Sequence, residues 1–433
     1  MKAIHVVRNA FWIIICKIIQ SILALTVTML TARYLGPSNY GLISYASSLV
    51  AFATPIMYLG FNSIVVQELI NNPQNEGEVL GTAIGGCLVS ATICIVGVVT
   101  FTCIVNAGER DTILVSFLYS FILLFQAIEI IQFWFQAKLK SKYTSVVMVS
   151  TYFIISVYRI WLLISNKSVY WFAVANALDA MLIGIVLVLI YKKLGGQKFI
   201  FSIRRGKCMW NRSKHFIVSS LMITIFTQTD KVMLKLMLDE TVTGYYAAAT
   251  TCVFLTNFVF NAIFDSMRPY ILNSKANESN ISYEKKMTTL FAIIIFLSVA
   301  QCVMIFLFSE WIIYILYGKE YAGAISILRV LVWYTLFSYI GMSRSIWILA
   351  ESKQCYLWII NFSGAVANII LNLFMIPFWG GLGAAVASLI TQFFTNVVMV
   401  QIIPELRKSN SILLKSLNPK VLINGIKFLR GNV

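Results

Sequence analysis

The chain has 433 residues, 59% of them hydrophobic and 12% charged, with a mean hydropathy of +0.82 and a formal net charge of +17. That much apolar surface excludes a soluble globular protein, whose outer face would aggregate. The apolar stretches are continuous, near 20 residues long, and lack period-two alternation, so they point to helices that span lipid and not to barrel strands.

In chain order the runs predict about twelve transmembrane helices, at residues 10–32, 41–60, 81–105, 112–136, 144–164, 169–191, 214–238, 244–267, 287–309, 325–349, 356–377 and 381–403. The first run continues past Thr28 with no small-residue cleavage site, so it reads as a span and not as a cleaved signal. With both termini cytoplasmic, 25 of the 34 basic residues fall on inner segments and four, Arg33, Arg110, Lys167 and Lys319, on outer ones. This bias fixes the expected orientation and also accounts for the net charge without nucleic acid. One inner loop, residues 61–80, runs against the bias: it carries Glu68, Glu76 and Glu78 and no base. Of the eight cysteines, Cys16, Cys87, Cys94, Cys103, Cys252 and Cys302 lie in apolar runs and Cys208 and Cys355 in basic loops. Without a CxxC pair they carry no metal or disulfide signature.

The chain repeats itself. Trp134-Phe-Gln-Ala137 leads to Tyr143 at the spacing with which Trp347-Ile-Leu-Ala350 leads to Tyr356. Asn39-Tyr40-Gly41 before span 2 parallels Thr243-Gly244-Tyr245 before span 8. Each half therefore holds six spans: an N-terminal lobe at 1–196 and a C-terminal lobe at 214–403. Even-numbered repeats are parallel, a transporter architecture. The segment 197–213 reads as an amphipathic cytoplasmic linker, and 404–433 as a basic cytoplasmic tail of the same kind.

Polar residues follow helical spacing inside the spans. Span 1 carries Lys17, Gln20, Ser21, Thr28 and Thr31; span 7 carries Ser220, Thr224, Thr227, Lys231 and Lys235, with Gln228 and Asp230 alongside. Span 8 carries Asn257, Asn261, Asp265 and Arg268; span 11 has Asn361, Asn368 and Asn372, and span 12 has Ser388, Gln392 and Asn396. Steps of three and four share one helix face, and a polar face in lipid must turn to a partner helix or to water. For the hydroxyls and amides, interhelical bonding is an equal reading. A charge at mid-bilayer costs roughly 2.5–3.5 kcal/mol even on the lenient insertion scale. Lys17 is too deep to snorkel easily, and a water-filled cavity is the expected setting over a buried structural pair. Lys235 could instead snorkel outward. Asp265 and Arg268 could form an i,i+3 pair. Glu129, Arg159 and Asp179, isolated in spans 4, 5 and 6, could pair with one another. His5 and His215 sit at the inner interface.

Enzyme signatures are missing: the chain has no GxxxxGK[ST], HExxH or GxSxG motif, so no cofactor and no catalytic residue is expected. The short outward loops also argue against a membrane-bound polysaccharide polymerase. Basic side chains in a cavity imply an anionic substrate, and carboxylates there a proton or sodium site. The expectation is an anionic amphiphile or solute moved by ion-coupled alternating access. A multidrug exporter, which favours acidic cavities, is the alternative.

Four stretches carry a family resemblance. Ala32-Arg33-Tyr34-Leu35-Gly36-Pro37-Ser38-Asn39-Tyr40-Gly41 is similar to the span 1–2 junction of bacterial polysaccharide flippases. Thr229-Asp230-Lys231-Val232-Met233-Leu234 with Gly244-Tyr245-Tyr246-Ala247-Ala248-Ala249 resembles their span 7–8 signature. Tyr317-Gly318-Lys319-Glu320-Tyr321 and Gly380-Gly381-Leu382-Gly383-Ala384-Ala385 resemble later patches. Over residues 10–403 the chain resembles the Wzx-type O-antigen or repeat-unit flippases of the multidrug/oligosaccharidyl-lipid/polysaccharide exporter superfamily. The resemblance implies two six-helix lobes in a V and a location in the bacterial inner membrane. It implies that undecaprenyl-diphosphate-linked oligosaccharide repeat units are flipped outward, in contact with membrane lipids and in association with the polymerase machinery. The expected substrate-binding residues are Lys17, Arg33, Lys231, Lys235, Arg159 and Arg268; the expected ion-coupling residues are Asp230, Asp265, Glu129 and Asp179.

Overall fold

The computed structural model describes residues 2–421, with side chains from Gln20 onward except at position 22. Every regular element among the described residues is helical. The chain divides into two compact units, 1–244 and 245–433.

The first unit opens with α1 (Lys2–Met57), which is broken at Gly36 (φ 72°, ψ 171°). The break follows from sequence. Pro37 has no N–H to continue the ladder and forces the residue before it out of helical conformation, and glycine accepts the left-handed φ. A short α2 (Val65–Asn71) and the long α3 (Glu76–Val105) follow. Predicted span 4 is three consecutive pieces, α4 (Arg110–Ser120), α5 (Ile122–Glu129) and α6 (Gln132–Ala137). Then come α7 (Ser141–Ile164), α8 (Val169–Lys193), α9 (Ile203–Met237) and the first turn of α10 (Glu240–Phe254). From Ile203 the linker residues form the inner end of α9. Packing groups α9 with the first unit because it lies against α1 and α3. An apolar core of α1, α3, α5 and α8 residues, including Met57, Leu80, Ala127 and Leu187, holds this unit together.

The second unit contains the rest of α10, then α11 (Asn257–Asn277), α12 (Asn280–Leu316), α13 (Ala324–Ala350) and α14 (Leu357–Phe393). α14 is broken at Gly380 (φ 58°, ψ −134°), three residues after Pro377. A π-helical turn at Phe394–Val398 leads to α15 (Met399–Ile402) and to the amphipathic α16 (Arg407–Ser416). α12, α13 and α14 pack in sequence around Phe291, Ile295, Tyr339 and Trp347.

Among the described residues eight helical runs are long and apolar enough to cross a membrane, or nine if α10 and α11, bent by 43°, form one span. Their outer surfaces carry apolar side chains such as Ile104, Ile164 and Phe378, which only lipid would cover. This is a multi-pass helical membrane protein. Twelve crossings would require the bent α10–α11 pair as one span, two passes from each of the runs broken at Gly36 and Gly380, and one from α9. α9 falls outside the eight because its inner end is basic and Asp230, Lys231 and Lys235 interrupt its apolar stretch.

The repeated Trp motif is a repeated backbone turn. Leu139 (φ 56°) and Ser352 (φ 55°) are both left-handed, five residues after Trp134 and Trp347. In each turn the next amide closes the helix: Lys140 N–H donates to the Phe135 carbonyl (2.7 Å) and Lys353 N–H to that of Ile348 (2.9 Å).

The linker lies on α3. Gly77, Gly81 and Gly85 form an i,i+4 stripe on which a Cβ would collide with Lys198, Ile200 and Phe201 respectively. The Ile200 amide donates to the Gly77 carbonyl (3.1 Å), and the Gly77 amide to Gln197 Oε1 (2.9 Å). This docking explains the base-free acidic loop. Glu78 pairs with Arg205 (3.1 Å), Glu68 with Arg212, and Glu76 with Lys138 while accepting from Trp134 Nε1 (2.7 Å). The bases that balance the loop come from α9 and from the turn after α6.

Candidate functional site

In the first unit, α5, α7 and α8 bring together the three charges that sequence left isolated. Asn176 and Asp179 sit one turn apart on α8, and Gln126 and Glu129 one turn apart on α5. Arg159 of α7 donates from Nη2 to Asn176 Oδ1 (2.8 Å) and lies over the Tyr152 ring (5.9 Å). Asp179 is in electrostatic reach of both Arg159 and Glu129. Asp179 Oδ1 and Gln126 Oε1 are buried, with no hydrogen-bond donor among the described residues. The cluster thus sets one guanidinium near Asp179 and Asp179 near Glu129, both carboxylates half-buried, and keeps acceptor capacity for a proton or a small cation.

On α9, Lys231 Nζ reaches Gln228 Oε1 (3.5 Å), which also accepts from Ser48 Oγ of α1 (3.1 Å). Asp230 is buried and interacts electrostatically with Lys231. Lys235, one turn further, behaves differently. Its buried ammonium sits between Glu109 Oε2 (2.7 Å) and Glu240 Oε2 (2.9 Å). Glu109 also accepts from Thr112 (2.7 Å) and Asn106 (3.4 Å), Asn106 accepts from Tyr45 (2.9 Å), and Glu240 accepts from Ser38 (3.3 Å). Burial raises the Glu109 carboxyl, but the bonds from Lys235 and Thr112 outweigh it and hold the group below the ordinary range. Lys235 therefore closes an ion cluster at the predicted outer end, and its charge is already matched. Beside it, Gly41 and Gly244 lie against each other: a Cβ on Gly41 would strike the Glu240 carbonyl, and one on Gly244 that of Pro37.

Of the remaining candidates in this unit, Arg33 is exposed and makes no ion pair among the described residues. The side chain of Lys17 lies outside the described residues.

In the second unit the i,i+3 pair considered for Asp265 and Arg268 does not form among the described residues; both side chains are exposed on α11 together with Asn261. The stripes on α14 do come together. Asn372 Nδ2 donates to Asn368 Oδ1 (3.1 Å), Asn368 Nδ2 lies 3.5 Å from Ser388 Oγ, and Tyr246 Oη lies 3.4 Å from the same hydroxyl. This centre is neutral where that of the first unit is charged. Among the described residues no group of three or more His, Cys, Asp or Glu side chains could hold a metal ion.

Sequence reasoning missed Glu109, Glu240, Gln126, Asn176 and the wholly buried Arg344. The two glutamates had a signal, since outer segments that hold two of the few acids near an intramembrane lysine ask to be paired. The others had none, because an amide or an arginine in a helix does not announce a partner on another helix.

The model of the family described as "Polysaccharide biosynthesis protein" matches residues 6–275. The chain is 21% identical over 399 residues to the capsular polysaccharide biosynthesis protein CapF of Staphylococcus aureus, covering 89% of this chain and 96% of CapF. Among solved structures it is similar to the lipid II flippase MurJ in an inward closed conformation, with a TM-score of 0.73 at 17% identity, covering 93% of this chain and 90% of MurJ. It is also similar to an inward-facing multidrug resistance transporter of the MATE family and MOP superfamily, with a TM-score of 0.63 at 14% identity, covering 90% and 96%. These likenesses give the fold as that of the MurJ and MATE transporters and bear out the resemblance read from the junction motifs. The chain belongs to the polysaccharide biosynthesis protein family.

Proposed function

We propose that this protein carries undecaprenyl-diphosphate-linked oligosaccharide repeat units outward across the bacterial inner membrane by ion-coupled alternating access, with both termini cytoplasmic. The observation that carries the reading is the Asp230–Lys231 pair in α9, tied through Gln228 to Ser48 of α1, in a chain of this family. A lysine kept inside a spanning segment beside a single acid suits an anion that arrives and leaves, and a diphosphate needs such donors. Lys17, Arg33 and Arg268 are the other bases suited to line the path. Glu129 and Asp179, which interact with each other while Arg159 acts on Asp179, are suited to take up and release the coupling proton or sodium ion; Asp230 and Asp265 are further acids for that role. Lys235 belongs to the outer ion cluster, where breaking its pairs would accompany outward opening. Flipped units would then pass to the polymerase machinery.

The test is complementation of a strain that lacks its own repeat-unit flippase. Wild-type protein should restore surface polysaccharide. Lys231→Ala should lower it at least tenfold while lipid-linked units accumulate at the inner leaflet. Normal polysaccharide with Lys231→Ala, at equal protein level, would remove Lys231 from the path.

A further inference from the structure

At the predicted inner face of the second unit, a cavity of about 600 Å³ opens between α12 and α16. Lys285 and Thr289, one turn apart, line it from α12; Leu414 and Lys415 line it from α16, and Asn418 and Val421 from the segment that follows. Lys285 stands just before the apolar run predicted at 287–309, and the amphipathic α16 follows the last span, so the cavity lies at the level of the lipid head groups.

The lining is selective by sign. Two ammonium groups, from two helices, line a cavity to which no carboxylate contributes among the described residues. The acids of this face are bonded to other lysines: Glu278 to Lys286, Glu351 to Lys275, and Glu284, which also feels Lys415, to Lys408. The Thr289 hydroxyl donates to the Lys285 carbonyl (2.8 Å). Asn418 Oδ1 accepts from the Lys420 amide (3.0 Å), which leaves Asn418 Nδ2 as a donor. The wall therefore offers positive charge and an amide donor, and no acidic acceptor. Leu414 adds an exposed apolar side chain on a helix whose Ile412 and Leu413 are buried. A zwitterionic head group would bring an ammonium of its own to these lysines, whereas an anionic one brings only what they bind.

We propose that this cavity seats the head group of an anionic phospholipid of the inner leaflet, its phosphate held by Lys285 and Lys415 and an acyl chain against Leu414. The proposal rests on the membrane orientation and not on the flippase reading. A lipid bound to both helices would tie α16 to α12.

Native mass spectrometry of the full-length protein in detergent would compare phosphatidylglycerol with phosphatidylethanolamine of the same acyl chains. The wild type should bind the first molecule of phosphatidylglycerol at least fivefold more tightly. That preference should vanish in the double variant Lys285→Gln with Lys415→Gln, at an unchanged melting temperature in lipid-free detergent, and should persist in Lys285→Arg with Lys415→Arg. In nanodiscs, phosphatidylglycerol should slow amide exchange at residues 407–418 of the wild type and not of the glutamine variant. Lys192→Gln with Lys193→Gln, which removes two exposed charges from the predicted inner face of the first unit, should keep both effects. Equal loss in that control would overturn the site by making the preference a property of the whole basic face. No preference in the wild type, or a preference kept by the glutamine variant, would also overturn it. Release of the lipid by millimolar inorganic phosphate would overturn the lipid as occupant and make the cavity a seat for the free anion. None of these outcomes touches the flippase reading.

Discussion

The predicted inner ends of the two units are closed by the same plan with different fastenings. In each, a segment that follows a spanning helix packs back on the unit: residues 197–202 on α3 in the first, and residues 404–416 beside α12 and α15 in the second. In each, carboxylates on neighbouring segments pair with lysines or arginines: Glu68, Glu76 and Glu78 in the first, and Glu278, Glu284 and Glu351 in the second. The fastening differs. The linker is held by backbone contact along a glycine stripe of α3. The tail is held by Arg344, 1% exposed, which donates to Ser409 Oγ (3.0 Å), to Asn410 Oδ1 (2.7 Å) and to the Asn396 carbonyl. The two closures thus share a plan while the chemistry that holds them differs.

The largest effect is expected at that arginine. Arg344→Met leaves Asn410 Oδ1, Ser409 and the Asn396 carbonyl buried without their donor, at about 3 kcal/mol or more in total. The second unit should lose thermal stability, and α16 should become a site of rapid proteolysis while the linker stays protected. Equal protection of α16 in wild type and variant would break the contrast between the two fastenings.

Next is Gly81→Leu, whose Cβ would lie 2.6 Å from backbone atoms of Ile200. Overpacking against backbone typically costs about 1–3 kcal/mol, and here it should lift the linker off α3. Amide exchange at residues 197–202 would report it, with residues 404–416 unaffected.

What sequence made legible follows from the range of each interaction. Span positions rest on the length and apolarity of continuous runs, so most long helices fall where expected. The breaks at Gly36 and Gly380 are written in neighbouring prolines. The Trp turns are local, and their repeat spacing became matching left-handed residues. The pairings were not local. Lys235 meets Glu109 across 126 residues of chain, a separation visible only once α9 lies beside α1 and α3. In sequence Arg344 is one more inner charge, because its partners lie 52 to 66 residues onward. Conversely, Asp265 and Arg268 have the spacing of a pair and do not form one, since spacing permits contact without compelling it.

A smaller effect is tied to pH. Glu278 accepts from Lys286, Ser282 and Ser274, which hold its carboxyl down at about 2. A carboxyl lowered on folding contributes stability above its ordinary value near 4.5, and that contribution is lost as pH falls from there toward 2. Melting of the detergent-solubilised protein between pH 6 and 3 should show the decline, and Glu278→Gln should remove part of it. Parallel curves for the two proteins would assign the acid sensitivity to other carboxylates.

The smallest effect tests the repeat itself. Lys140 lies 5.7 Å from the Trp134 ring centroid and Lys353 5.1 Å from that of Trp347. Each cation–π contact is worth about 0.5–1 kcal/mol at partly exposed sites, so on that ground Lys140→Met and Lys353→Met should cost the same. The anchors break the symmetry. Trp134 is separately fixed by its bond to Glu76, whereas Trp347 Nε1 has no acceptor among the described residues and Lys353 Nζ also donates to the Glu405 carbonyl at the start of the tail. Lys353→Met should therefore cost more than Lys140→Met and speed amide exchange in residues 404–416, and Lys140→Met should leave exchange in the linker unchanged. Equal costs with no change in tail exchange would mean that the two turns are interchangeable, and that Arg344 alone fastens the second unit.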